Sequence, residues 1–392
     1  MSLASSPKQA IATFMSTLAI LWLCLFCALY VYDPLQIFHK PWLRQDGLLH
    51  ENFRLQAAGV INNYEFDSLI IGTSLLENTS AKHASETLGG NFVNLSIAGG
   101  NYLERSLLLN YALQKKTIAQ VVYSLDYSFI NLTTTHPRYE SSMFDFLYDE
   151  SRLNDITAYF NDRFLRCLLV LSQSRECVGR KKTLDRPNAW FNKPRHQARY
   201  GGLDQWLNTG NDLQLQRMQR EIKNTAERAA EGLITTDPNL TQRITAASDY
   251  IDQYLISHAR QHPDTRFILV FPPHFRVRYA MWAQADRDKA AIYMAMVRSL
   301  AKLSDAMPNV EVYGWDTRAF VDDISKYKDT SHFHVSINRW MIDAVARRKG
   351  LLTARNVTAY LNAFEEKALA FDLVGLGRAI DVHLSSQPKS LP

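Results

Sequence analysis

No side chain from Gln9 to Tyr32 is charged, and the run Ile11 to Tyr32 reads IATFMSTLAILWLCLFCALYVY. At about 1.5 Å per residue it is long enough to cross a hydrocarbon core of about 30 Å. Later apolar runs, such as Phe267 to Phe271, have only strand length. One membrane helix (11–32) is expected, behind a short cytoplasmic tail (1–10), with a buried core helix as the alternative. A cleaved signal has an apolar core of about 7–15 residues followed by small residues. This run is longer and exits through Tyr30, Val31, Tyr32 and Asp33, which favours an uncleaved anchor. The flanking charges, Lys8 before and Lys40 and Arg44 after, decide little about orientation. A long domain translocates largely regardless of charge, so the bulk of the chain is expected on the periplasmic side of the cytoplasmic (inner) membrane.

After a connector (33–58) containing DPLQIFHKPW, strand and helix patterns alternate. Asp67 to Gly72 (DSLIIG), Phe92 to Ile97 (FVNLSI) and Ile118 to Leu125 (IAQVVYSL) read as strands. Leu103, Leu107, Leu108 and Ala112 mark a helix between Asn101 and Lys116. The alternation pauses from about Tyr127 to Asp249, with helical pieces over Asn154 to Leu171 and Asp212 to Gly232. It resumes with a helix near Ala246 to His262, strand Arg266 to Phe271, a helix near Gln284 to Leu303, strand Val310 to Gly314 and a helix near Ile337 to Arg348. Strands separated by helices imply parallel crossovers, hence an α/β fold with three α/β/α layers around a mainly parallel sheet. The domain is expected over 59–350, with a helical, basic insertion at about 132–245 and a helical C-terminal tail over 351–392.

Composition changes this picture little. With 46% hydrophobic residues in 392, the chain can bury one large core or two modest ones, and disorder throughout is excluded. Four cysteines are too few for a disulfide scaffold. Cys24 and Cys27 lie in the apolar run, while Cys167 and Cys177 either pair across a short loop or stay free in the core. A net charge of +5 falls short of a nucleic-acid signature. The basic residues concentrate between Arg175 and Arg199, where Arg180, Lys181, Lys182, Arg186, Lys193 and Arg195 face only Glu176 and Asp185. That stretch reads as a solvated insertion, or as a surface for an anionic glycan or lipid headgroup.

Open parallel sheets place their sites at the C-terminal ends of strands. The first strand ends at Gly72-Thr73-Ser74, a hydroxyl at a strand-to-helix turn, where Ser74 is a nucleophile or an ordinary helix cap. The second ends in Ala98-Gly99-Gly100-Asn101, whose glycines let a backbone N–H approach a substrate oxygen. The third ends in Asp126-Tyr127-Ser128, and far down the chain Asp329-Thr330-Ser331-His332 offers an aspartate and a histidine from one loop. Glu77 and Asn78, just after Ser74, line the pocket or lie on the surface; His274, after Pro272-Pro273, faces the site or is structural. Trp190 and Trp206 read as a hydrophobic cluster or as stacking platforms for sugar rings. His332-Phe333-His334 supplies two ligands without a third, so neither a metal nor a cofactor is expected.

In this order the blocks resemble the SGNH (GDSL-like) hydrolase superfamily. Gly72-Thr73-Ser74 is similar to its Gly-Asp-Ser block, Gly99 falls where the oxyanion glycine stands, and Asp329-x-x-His332 is similar to its C-terminal block. IIGTSLLENTS, NLSIAGGN and SLDYSFIN resemble the membrane-anchored, extracytoplasmic branch linked to cell-surface polysaccharide acylation. The likeness covers about 67–131 and 266–346. It implies Ser74 as nucleophile, His332 as base, Asp329 as its orienting carboxylate, and the N–H groups of Ser74 and Gly99 as oxyanion donors. Where the family's third block carries an Asn donor, this chain has Leu125-Asp126-Tyr127-Ser128, leaving Ser128, Asn101 or Asn131. The implied function is a serine esterase or O-acyltransferase acting on a cell-envelope polysaccharide, with a membrane acyltransferase as partner. The alternative is a non-catalytic envelope protein of the same fold that binds polysaccharide or recruits such an acyltransferase.

Overall fold

The computed structural model describes residues 7–134, 143–208, 210, 212–234 and 236–386. Among these, helix Pro7–Tyr32 takes up the apolar run and leaves nearly all of it exposed. It is long and apolar enough to cross a membrane. The strands are β1 (Leu48–Leu49), β2 (Ser68–Ile71), β3 (Phe92–Asn94), β4 (Gln120–Ser124), β5 (Arg180–Lys181), β6 (Arg266–Phe271), β7 (Val310–Gly314) and β8 (Leu351–Leu352).

The chain separates into two compact units, residues 1–65 with 140–183 and residues 66–139 with 184–392. In the first, β1 pairs antiparallel with β5, and Cys167 is disulfide-bonded to Cys177, which settles the choice left open above. The stretch expected as one helix over Asn154 to Leu171 is a 3-10 turn, Asp155–Tyr159, then a helix, Asp162–Leu169. The break falls where the Asn161 side chain accepts the N–H of Phe164, which starts a new helix instead of continuing the old one.

The second unit is a mixed α/β structure on a six-stranded sheet of order β3-β2-β4-β6-β7-β8. Its first five strands are parallel, and β8 closes one edge antiparallel to β7. The central strands are almost wholly buried, which is why they read as unbroken apolar runs. Counted by entry into the sheet the order is 2-1-3-4-5-6, and it reverses between β2 and β4. Ala81–Leu88, capped by Ser80, follows β2; Tyr102–Lys115, opened by a capping box between Asn101 and Glu104, follows β3. The helix expected near Gln284 to Leu303 runs over Arg287–Ala306, and a further, unexpected helix, Arg276–Gln284, precedes it. Asp286 at the break accepts from Lys289 and Arg228.

Two expectations change. The insertion is not one solvated piece: its part from Leu184 belongs to the second unit, where Trp206, Met218 and Ile222 share a core with Ile70, Val122 and Ile268 of the sheet. Half of the basic residues from Arg175 to Arg199 pair with carboxylates, Arg175 and Arg180 with Glu51, Arg186 with Asp185 and Arg199 with Asp212. The C-terminal segment is part of the core as well. It supplies β8 and helices Val357–Ala370 and Leu373–Ser386, the latter bringing Gly377 against Ala226 of helix Leu213–Ala230.

Asp316, just past β7, is fully buried and accepts the hydroxyls of Tyr279, Tyr293 and Tyr360, one from each of three helices. Burial pushes its carboxyl up, and the three hydroxyls pull it back. Asp316→Ala strands three buried donors and is expected to cost about 3 kcal/mol in urea unfolding, with a smaller loss for Asp316→Asn. An unchanged midpoint in the alanine variant would show that the cluster does not hold these helices.

Candidate active site

Beyond β2 the chain does not enter a helix at Ser74. Residues 73–79 form consecutive turns, closed by the N–H of Leu76 on the Thr73 carbonyl (3.0 Å) and of Thr79 on that of Leu76 (2.9 Å), and the helix begins at Ala81. Ser74 is therefore not a helix cap, and no helix N-terminus lies at its amide. After β3, Gly100 N–H bonds the Ile97 carbonyl at 3.0 Å, with Gly99 inside that turn at φ +61°. That is a conformation glycine adopts without strain.

The third contribution comes from the loop between β7 and helix Val335–Ala346. A bridge between Tyr327 and Phe333 pinches it, and Lys328 N–H bonds the His332 carbonyl at 3.0 Å. Inside, Asp329 Oδ1 accepts the backbone N–H groups of Ser331 (2.9 Å) and His332 (2.8 Å), and both carboxylate oxygens lie 2.9 Å from His332 Nδ1. An ionised carboxylate only accepts, so Nδ1 carries the proton and Nε2 presents its lone pair. Nε2 is 2.8 Å from Ser74 Oγ. Burial alone would raise the Asp329 carboxyl; His332, Lys328 and the two amides outweigh it and hold the group well below the ordinary carboxylate range.

These groups border a cavity of about 450 Å³ whose lining includes Ser74, Gly99, Asn101, Ser128 and His332. The lining also takes in one face of helix Leu213–Ala230, with Gln214, Arg217, Met218 and Glu221 at helical spacing. Neither the Ser74 nor the Gly99 N–H has an acceptor among the described residues. The two candidates for a side-chain donor differ. Ser128 Oγ donates to Asp126 at 3.1 Å, and Asp126 is itself paired with the buried Arg105 at 3.1 Å. Asn101 uses Oδ1 to cap its helix, and its Nδ2 has no acceptor among the described residues. The side chain of Asn131 lies outside the described residues.

Three residues expected as substrate contacts do not line the cavity. Glu77 and Asn78 are buried rather than on the surface, and Asn78 Oδ1 accepts the backbone N–H groups of Trp190 and Phe191, both at 3.1 Å. His274 is buried with its ring edge-to-face on Tyr127, a cavity-lining residue. Burial, with Arg278 and His332 nearby, pushes its pKa down to about 3. His334 caps the following helix through Ser336, and no group of three metal-binding side chains occurs among the described residues.

Trp190 bears on the site in a way residue type and spacing do not signal. Its Nε1 donates to the Ser74 backbone carbonyl at 2.8 Å, and its ring stands perpendicular to His332 at 5.4 Å. The Lys328 ammonium lies 4.0 Å from the Trp190 ring centroid and 4.0 Å from Asp329 Oδ2. Burial draws the Lys328 pKa down to about 8. Trp206 is core instead, donating to the Tyr327 carbonyl at 2.9 Å. No family model, curated protein or solved structure matches this chain.

His274 yields a pH prediction. It stays neutral in the fold down to about pH 3, whereas an unfolded histidine takes up a proton near pH 6.5. Below pH 6.5 the unfolded chain therefore binds more protons, and stability falls with pH by about 1.4 kcal/mol per unit from this residue. Urea unfolding at pH 7 and pH 5 is expected to show that slope reduced by about this amount in His274→Gln; equal slopes in the two proteins would place the titration elsewhere.

Proposed function

We propose that this chain is a membrane-anchored, extracytoplasmic SGNH-like serine acyl esterase or O-acyltransferase acting on an esterified cell-envelope polysaccharide. The observation that carries the proposal is the unbroken line from Ser74 Oγ through His332 to Asp329, beside a cavity at the C-terminal ends of β2, β3 and β4. The strand order and the helical crossovers support the three-layer arrangement expected of that superfamily.

In this reading Ser74 Oγ attacks the ester carbonyl while its proton passes to His332 Nε2. Asp329 holds the imidazole tautomer and stabilises the imidazolium. The tetrahedral oxyanion takes the N–H groups of Ser74 and Gly99 and the Nδ2 of Asn101, each donor worth about 3 kcal/mol by the protease precedent. The carbonyl–alkoxy bond then breaks, His332 returns the proton to the leaving alcohol, and an acyl-Ser74 ester remains. Water or a sugar hydroxyl, deprotonated by His332, attacks that ester and regenerates Ser74. A membrane acyltransferase partner would supply the acyl donor in the transferase version.

One feature favours a second reading, a non-catalytic protein that binds polysaccharide or recruits the acyltransferase. At the third block stands Leu125-Asp126-Tyr127-Ser128, with Asp126 tied to Arg105, where the superfamily has an amide donor. Fluorophosphonate labelling and p-nitrophenyl acetate turnover of the purified full chain separate the two. Labelling should vanish in Ser74→Ala, and turnover should fall at least about 10³-fold in Ser74→Ala and His332→Ala. A folded, unlabelled and inactive wild type would favour the binding role.

The oxyanion assignment is tested separately by Asn101→Asp, which keeps the helix-capping oxygen and removes the amide donor. Its turnover should drop about 10²-fold with an unchanged melting temperature, while Ser128→Ala stays within a few-fold of wild type. The reverse ranking would move the third donor to Ser128.

A further inference from the structure

Helix Pro7–Tyr32 is not tethered to the first unit by a loose linker but clamped into it. Asp33, the next residue, is buried and accepts the N–H groups of Ile37, Phe38 and His39, each at 2.9 Å, together with the Tyr159 hydroxyl. Arg44 binds the carbonyls of Tyr32, Asp33 and Pro34. The Tyr32 hydroxyl donates to the Ser172 carbonyl, and Phe160 packs on the helix itself, with ring centroids 5.6 Å from Phe26 and 6.1 Å from Trp22.

The unit also carries apolar side chains that its own core does not cover. Leu153 is 90% exposed, Leu169 83% and Val170 75%, and Leu171 and Trp42 are exposed too. Leu171 sits at φ +45°, where the chain turns back after helix Asp162–Leu169. Glycine or asparagine is the cheap residue at such a position, and a leucine there puts an apolar side chain at the tip of an exposed turn. Tyr30, His39 and Trp42 cluster at the helix end, with His39 and Trp42 stacked at 3.7 Å. Aromatic side chains of this kind collect at headgroup level.

We infer that the unit formed by residues 1–65 and 140–183 is itself seated in the lipid interface, with Phe160 among the acyl chains and Leu153, Leu169, Val170, Leu171 and Trp42 at the headgroup boundary. The inference rests on reading Pro7–Tyr32 as the membrane span. The apolar run Ile11 to Tyr32 rises about 33 Å, barely more than a core of about 30 Å, so a spanning helix has no spare length to lift the unit off the bilayer. Phe26 lies six residues, about 9 Å, before Tyr32, and Trp22 about 15 Å before it. The ring packed against both is therefore below the headgroups. Leu169, Val170 and Leu171 lie beside the helix end, since Ser172, which follows them, is bonded to Tyr32, and Leu153 follows Arg152, which binds the carbonyls of Ile37 and Phe38 just past that end. The occupant of this apolar rim is thus lipid, continuous with the lipid around the helix.

The test uses the full chain in vesicles of phosphatidylcholine and phosphatidylglycerol (3:1), in a Cys24→Ser, Cys27→Ser background that keeps the Cys167–Cys177 disulfide. Single cysteines at Leu153→Cys, Val170→Cys, Lys181→Cys and Leu23→Cys carry a bimane fluorophore, quenched either by doxyl-labelled lipid or by aqueous iodide. The probes at 153 and 170 should be quenched several-fold more by lipid than by iodide, as should the helix probe at 23, with the reverse at 181. Probes at 153 and 170 that behave like 181 while 23 stays lipid-quenched would overturn the inference and leave the span intact, pointing to a protein partner on this rim. Iodide quenching at 23 would sink the membrane span and the inference together.

Discussion

Two parallel strands cannot be joined by a hairpin, and most of the second unit follows from that constraint. The chain must leave each strand at one end of the sheet and enter the next from the opposite end, so the five parallel strands all finish on the same side. Polar residues just past those ends become neighbours whatever their distance along the chain. Ser74 and His332 are 258 positions apart and meet at 2.8 Å. The reversal of strand order between β2 and β4 opens the crevice into which Gly99, Asn101 and Ser128 also face.

Within that frame, short segments are organised around buried carboxylates. Asp33 gathers three amides and a tyrosine, Asp316 three tyrosines, and Asp329 two amides and an imidazole. The first two have mainly neutral donors, and burial prevails, raising both carboxyls. Asp329 has His332 beside it and the Lys328 ammonium 4.0 Å away, and there the charges prevail. The same architectural device thus yields two structural knots and one anion fit to orient a base.

The parallel strands were legible because strands covered on both faces are continuous apolar runs, and Ser74, Asp329 and His332 were legible because polar residues at strand ends stand out against such runs. Trp190 was not, because it acts on Ser74 through a backbone oxygen, which no side-chain pattern encodes. Serine is a common cap, so in sequence the segment after Ser74 reads as a helix start, whereas the cap in the structure is Ser80. The division of the insertion at 183 and 184 was hidden for a different reason: a basic composition reports charge, and not that Glu51, Asp185 and Asp212 would answer much of it. The C-terminal helices lie beyond the strand-and-helix alternation and read as a tail, yet Leu373 and Ile380 belong to the core and Tyr360 bonds Asp316.

The discontinuity of both units sets an order on biogenesis. At about 5–20 residues per second, the stretch separating Ser74 from His332 takes roughly 13–50 s to synthesise. Within that interval the β4 edge, which pairs with β6, stays open from Ser124 until Arg266 is made, roughly 7–28 s at the same rate, while residues 1–65 wait for 140–183 to complete their own unit. The nascent chain is thus exposed to aggregation longest in its most apolar strands, and the serine has its histidine only once nearly the whole polypeptide has left the ribosome.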